Sequence, residues 1–201
     1  DDHLPSRLRK LVPREQWIEL PLLSMLAVKK WLGIHKNELN LSGDNSAQGN
    51  MLERLSRTFF DKSKGHPLHL KYTLRSLLES GIHVTEQNIC NLPGCSHHDI
   101  ISYYSELWAS LSEQSRLILH LFAVANFPWQ PTYVIDCIDP DGQNLAQINT
   151  DIKQIKHLMS SGYLGLQPFH TSLLEFIKNH QDHQNYTLRL KKTVLGWLQT
   201  K

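Results

Sequence analysis

The sequence predicts a mainly α protein, a helical bundle followed by a winged helix-turn-helix domain with a short β element. Three observations carry that reading. Apolar residues recur at helical spacing along most of the chain, turn signals separate those stretches, and strand-like alternation is confined to two short runs. At 201 residues with 40% hydrophobic content, the chain is long enough for one or two domains with real cores.

Taken in order, Leu4 to Leu20 carries Pro5 and Pro13 and ends in Trp17-Ile18-Glu19-Leu20, a strand-like run whose sheet partners are expected upstream. Ser24 can cap a helix to about Gly33. Asn37 to Asn50, rich in Asn, Ser and Gly, reads as a connector and hinge. Leu52, Leu55 and Phe59 make one helical stripe, and Leu70, Leu74, Leu77 and Leu78 make another after Pro67, closed by Gly81 as a C-terminal cap. Val84 to Leu92 is a short finishing segment.

From His97 the chain starts a second unit. Ile100, Tyr104, Leu107, Trp108 and Leu111 form a stripe; Ser112 caps the next helix, with Leu117, Leu121 and Val124. Phe127-Pro128-Trp129 breaks it. A short helix at Thr132 to Cys137, a turn at Asp139-Pro140-Asp141-Gly142 and a helical face with Ile152, Ile155, Leu158 and Met159 follow. Gly162 to Leu166 reads as a strand ending at Pro168, Ser172 and Glu175 as a capping box, and Leu190, Val194, Trp197 and Leu198 as a closing amphipathic helix.

Composition narrows the function. The net charge of +2, with basic residues spread along the chain, argues against an obligate nucleic-acid binder, and no apolar run approaches the roughly 20 residues of a membrane span. Three cysteines, Cys90, Cys95 and Cys137, do not make a paired disulfide framework, so a reduced, cytoplasmic setting is expected. The start on Asp1 in place of methionine points to a piece of a longer protein. No Gly-x-x-x-x-Gly-Lys-[Ser/Thr], His-Glu-x-x-His or Gly-x-Ser-x-Gly occurs, so this chain alone is not expected to hydrolyse nucleotide or to be a self-contained hydrolase. Cys90, Cys95, His97 and His98 raise a zinc question, but their spacing is not that of a finger, and no metal site is expected.

Three quoted stretches together resemble the C-terminal part of the nucleotide-binding unit of STAND ATPases, particularly the NACHT-like ones. They are Leu4-Pro5-Ser6-Arg7-Leu8 through Leu20-Pro21-Leu22-Leu23-Ser24, Phe59-Phe60-Asp61-Lys62-Ser63-Lys64-Gly65-His66-Pro67-Leu68, and Gly162-Tyr163-Leu164 followed by Phe169-His170. The resemblance covers nearly the whole chain with short motifs. It implies the end of an upstream NTPase core at 1–20, a helical lid at 21–96 and a winged-helix domain at 97–201.

It further implies that Pro67 packs on the adenine of ADP or ATP, that Gly65 lets the backbone turn past it, and that His170 meets the β-phosphate of ADP. The nucleotide, with Mg2+ in the parent protein, would be held by an upstream P-loop domain. Implied partners are that core, neighbouring protomers of a homo-oligomer and a sensor or repeat domain after Lys201. A helix-helix turn also uses Gly then Pro, and a histidine also precedes ordinary capped helices, so both motifs keep a purely packing alternative.

The function so implied is a regulatory switch in signal transduction, closed with ADP and opened by ATP exchange so that oligomers assemble. Two alternatives stand beside it. A winged-helix nucleic-acid binder would put Asp151 to Ser161 in the groove, with Lys153, Lys156 and His157 as its polar readers; a structural helical adaptor would use neither motif for a ligand.

Overall fold

Each helix of the first half begins or ends on a recognisable local device. In the computed structural model, which describes residues 21–39, 45–96 and 99–200 (backbone alone at 45–48), α1 (Met25–Ile34) starts where the Ser24 hydroxyl accepts the Ala27 N–H at 3.2 Å. Helix α2 spans Asn45–Ser63 and α3 spans Pro67–Glu79. Gly81, at φ +64, ends α3: its N–H donates to the Leu78 carbonyl, and the Ile82 N–H donates to that of Leu77. Those two bonds are a Schellman cap and satisfy carbonyls the helix leaves open. A one-and-a-half-turn helix, α4 (Glu86–Cys90), follows its Thr85 cap inside the expected finishing segment.

These four helices enclose one core, built on Val28, Leu32, Leu55, Phe59, Leu74 and Ile89. Helix α3 also belongs to a second. Leu70, Leu74 and Leu77 face the first core, while Tyr72, on another side of the helix, is fully buried in the cluster formed by the rest of the chain. A helix buried on two sides is the seam between the halves.

The second half runs α5 (Ile100–Ser110), α6 (Glu113–Val124), α7 (Pro131–Ile138), α8 (Leu145–Ile155), a 3-10 turn (Lys156–Leu158), the hairpin β1 (Met159–Gly162) and β2 (Gly165–Pro168), then α9 (Thr171–Asn179) and α10 (His183–Gln199). The hairpin is antiparallel, pairing Met159 with Pro168 and Gly162 with Gly165. Trp129, just before α7, adds an antiparallel bridge to Leu166, with N–H and carbonyl exchanged at 2.7 and 2.8 Å. Helix, bridge residue, two helices and a hairpin that returns to the bridge residue make the winged helix-turn-helix order. Gly165 sits at φ +131 against the Trp129 backbone, where a Cβ would lie 2.6 Å from the Trp129 carbonyl carbon and oxygen.

Several expected boundaries move. Residues 45–50 of the expected connector form the first turns of α2. Met159 is strand, not helix, so the face of Ile152 and Ile155 ends at the 3-10 turn; the single strand expected from Gly162 to Leu166 is divided between β1, which ends at Gly162, and β2, which starts at Gly165, with Tyr163-Leu164 as the turn between them. The capping box is also displaced. Helix α9 is capped two residues earlier by His170, whose Nδ1 accepts the Ser172 N–H at 3.2 Å. The strand-like run at 17–20 and the basic group Arg7, Arg9, Lys10 and Arg14 lie outside the described residues.

Candidate functional site

A cleft of about 480 Å³ opens at the seam, where the N-terminal ends of α3 and α9 meet the approach to α1. Its walls are mainly apolar, from Leu22, Pro67, Leu68, Ile100 and Phe169, with Lys71, His66, His170 and Ser172 supplying the polar groups. Pro67 and His170, about a hundred residues apart in sequence, are thus brought to one opening. Apolar walls with a few convergent polar groups are the ordinary make-up of a small-ligand site.

Pro67 occupies the first position of α3, where its missing N–H breaks no helical bond. His66 caps the helix, its ring accepting the His69 N–H at 3.4 Å. Gly65 lies behind the cleft and does not line it. Its φ of +78 favours glycine, and its carbonyl accepts the Leu23 N–H at 2.8 Å. A Cβ there would stand 2.2 Å from the Leu23 carbonyl oxygen, so only glycine lets the chain entering α1 pass this closely. Gly65 therefore places Leu22 and Leu23 beside the α3 N-terminus.

On the opposite wall, the Phe169 N–H donates to the Leu158 carbonyl at 2.9 Å, which fixes the segment between β2 and α9. The Lys71 ammonium stands 3.8 Å above the Phe169 ring centroid, with the Arg75 guanidinium at 5.9 Å. Partial burial, then the Arg75 charge, lowers the Lys71 pKa from the usual lysine value. Lys71 is four residues after Pro67, on the same helix face, and that spacing was available to sequence reading.

His170 is exposed at the cleft. Its Nδ1 is turned to Ser172, with the Ser172 Oγ at 2.8 Å, and Ser172 in turn meets the Tyr104 hydroxyl at 2.8 Å. Tyr104 and Ser172 are buried side chains that the sequence marks only as a helical stripe residue and a capping-box residue, not as parts of a site.

The two helix N-termini add positive potential to the cleft, and Lys71 adds a cation, so an anion is favoured beside an apolar floor. That combination suits a ligand with an apolar body and an anionic end.

The groove-reading alternative loses one of its readers. Lys153 and Lys156 are exposed, but His157 is 7% exposed and its Nδ1 is 3.0 Å from the Gln154 carbonyl. Burial depresses the His157 pKa to about 4, so it is neutral. Helix α8 also ends at Ile155, short of the Ser161 expected. Among the described residues no group of three or more His, Cys, Asp or Glu can hold a metal; Cys90 is exposed, Cys95 is buried, and His97 and His98 lie outside the described residues. No described helix is long and apolar enough to cross a membrane.

No protein-family model, curated protein or solved structure matches this chain.

Proposed function

We propose that this chain is the regulatory lid and winged-helix module of a STAND signalling ATPase, cytoplasmic, closing over ADP or ATP held by an upstream P-loop domain and controlling oligomerisation. The reading rests on one observation above the others: Pro67 and His170 line the same cleft. In this arrangement the base packs on Pro67, Leu22 and Phe169, and the phosphates extend toward His170, the start of α9 and Lys71. The P-loop core would supply the remaining phosphate contacts and Mg2+, and hydrolysis would belong to that core.

The seam gives the switch its moving parts. If ADP binds better when bundle and winged half are closed together than when they separate, nucleotide exchange shifts the balance between the two arrangements.

The test is a titration of the 15N-labelled chain with ADP, read by amide chemical shifts. A half-site should bind in the millimolar range, roughly −4 kcal/mol, with perturbations confined to residues around Leu22, Lys71, Phe169 and His170. Shifts scattered over α8 and the hairpin, or none at millimolar ADP, would refute the assignment.

A further inference from the structure

The hydrogen bonds behind His170 have a direction. The Ser172 N–H can only donate, and it donates to the His170 Nδ1 at 3.2 Å. Nδ1 is therefore the unprotonated nitrogen, and the proton of the neutral ring sits on Nε2, on the far side of the ring. The Ser172 Oγ, 2.8 Å from the same Nδ1, must then also donate to it. With its proton so committed, Ser172 accepts from the Tyr104 hydroxyl at 2.8 Å, and Tyr104 accepts from the Tyr72 hydroxyl at 3.5 Å.

Burial gives this order permanence. Tyr72 is 0% and Tyr104 1% exposed, so no bulk water competes for their hydroxyls, while Ser172, 8% exposed, sits at the cleft wall with its hydroxyl between His170 and Tyr104. Burial raises the pKa of both tyrosines, so both remain proton donors. Tyr72 is on α3, Tyr104 on α5 and Ser172 on α9, so the chain of hydroxyls crosses the seam.

We propose that Tyr72, Tyr104 and Ser172 are positioning residues, a one-way hydroxyl relay across the seam that fixes His170 as an Nε2–H donor at the cleft. If the cleft takes nucleotide, which is the reading above, that N–H meets a phosphoryl oxygen as a neutral donor. The relay is complete only while bundle and winged half stay packed, because parting them breaks the Tyr72–Tyr104 link.

The experiment is long-range 1H–15N NMR of the imidazole rings in the histidine-labelled chain, with His170→Gln to assign the signal, before and after addition of inorganic pyrophosphate. The wild-type chain is expected to show His170 as a single Nε2–H tautomer. Ser172→Ala leaves only the longer backbone N–H contact on Nδ1 and Tyr104→Phe frees the Ser172 hydroxyl to turn, so each is expected to show some Nδ1–H ring beside the Nε2–H form, whereas Ser172→Thr, which keeps a hydroxyl, is expected to stay uniform. Pyrophosphate is expected to shift the wild-type and Ser172→Thr signals, and to shift those of the other two variants severalfold less.

A mixed or Nδ1–H ring in the wild-type chain overturns the relay without recourse to any variant. Unchanged tautomers in both Ser172→Ala and Tyr104→Phe overturn it as well. A locked, variant-sensitive tautomer with no response to pyrophosphate upholds the relay and overturns the nucleotide reading of the cleft.

Discussion

Gly65 shows how one missing side chain can position a site it does not touch. Its positive φ and the 2.2 Å that would separate a Cβ from the Leu23 carbonyl oxygen leave alanine no relaxed conformation. Gly65→Ala is expected to cost at least about 2 kcal/mol, read as a lowered urea midpoint. It should also disturb Leu22 at the cleft; unchanged stability would mean that the close approach is not needed. Motif likeness pointed to Pro67 and His170, and the structure gives them a common opening. Lys71 offered only its four-residue spacing from Pro67, and Tyr104 and Ser172 only helix signals, because a cation over an aromatic ring and a hydroxyl buried against a histidine exist only after the chain has folded.

Amphipathic periodicity made the helices legible wherever apolar residues kept it. Leu55 and Phe59, Leu70, Leu74 and Leu77, and Ile100, Tyr104, Leu107 and Trp108 are buried as their spacing requires. The failures share a different cause. Strand β1 is Met159-Ser160-Ser161-Gly162, which carries no apolar alternation and is held by pairing with residues up to Pro168. The start of α2 is rich in Asn, Ser and Gly, and its helicity comes with the packing of Leu55 and Phe59 further along. Ser172 and Glu175 have the letters of a capping box, but an unusual histidine cap begins α9 first.

The hairpin supplies its own prediction. Gly165→Ala, forced against the Trp129 backbone, should detach β2 from Trp129 and change the near-ultraviolet signal of that buried indole. Tyr163, 98% exposed at the tip, should tolerate Tyr163→Ser within about 0.5 kcal/mol. A near-ultraviolet spectrum untouched by Gly165→Ala would contradict the bridge.

Across the molecule, three buried histidines tie stability to pH. His69 in α3 is fully buried; its ring nitrogens lie 3.0 Å from the Pro93 carbonyl and 3.3 Å from the Thr73 hydroxyl. Burial lowers its pKa to about 4, and does the same for His157. His120, on α6, is lowered to about 4 by burial and by His183 and His180, with Asp182 opposing; its Nδ1 meets the His183 Nδ1 on α10 at 3.0 Å. These folded values lie below the unfolded 6.5, so the unfolded chain binds protons first as pH drops.

The stabilisation is complete above about pH 6.5 and is lost as pH falls toward 4. For His69 and His157 the shift corresponds to about 3 kcal/mol apiece. Urea midpoints should fall steeply between about pH 6.5 and pH 4, and His69→Gln and His157→Gln should flatten that slope. A slope unaltered by either substitution would locate the acid sensitivity elsewhere.

The cleft's assignment is tested most directly by photolabelling the chain with 8-azido-ADP and mapping the modified peptides. Label concentrated on Leu22, on Pro67 to Lys71 and on Phe169, and competed away by ADP, is the predicted result. Label that ADP does not displace, or that falls instead on the larger cleft of about 540 Å³ beside Lys62, Glu106 and Lys153, would contradict a nucleotide site between Pro67 and His170.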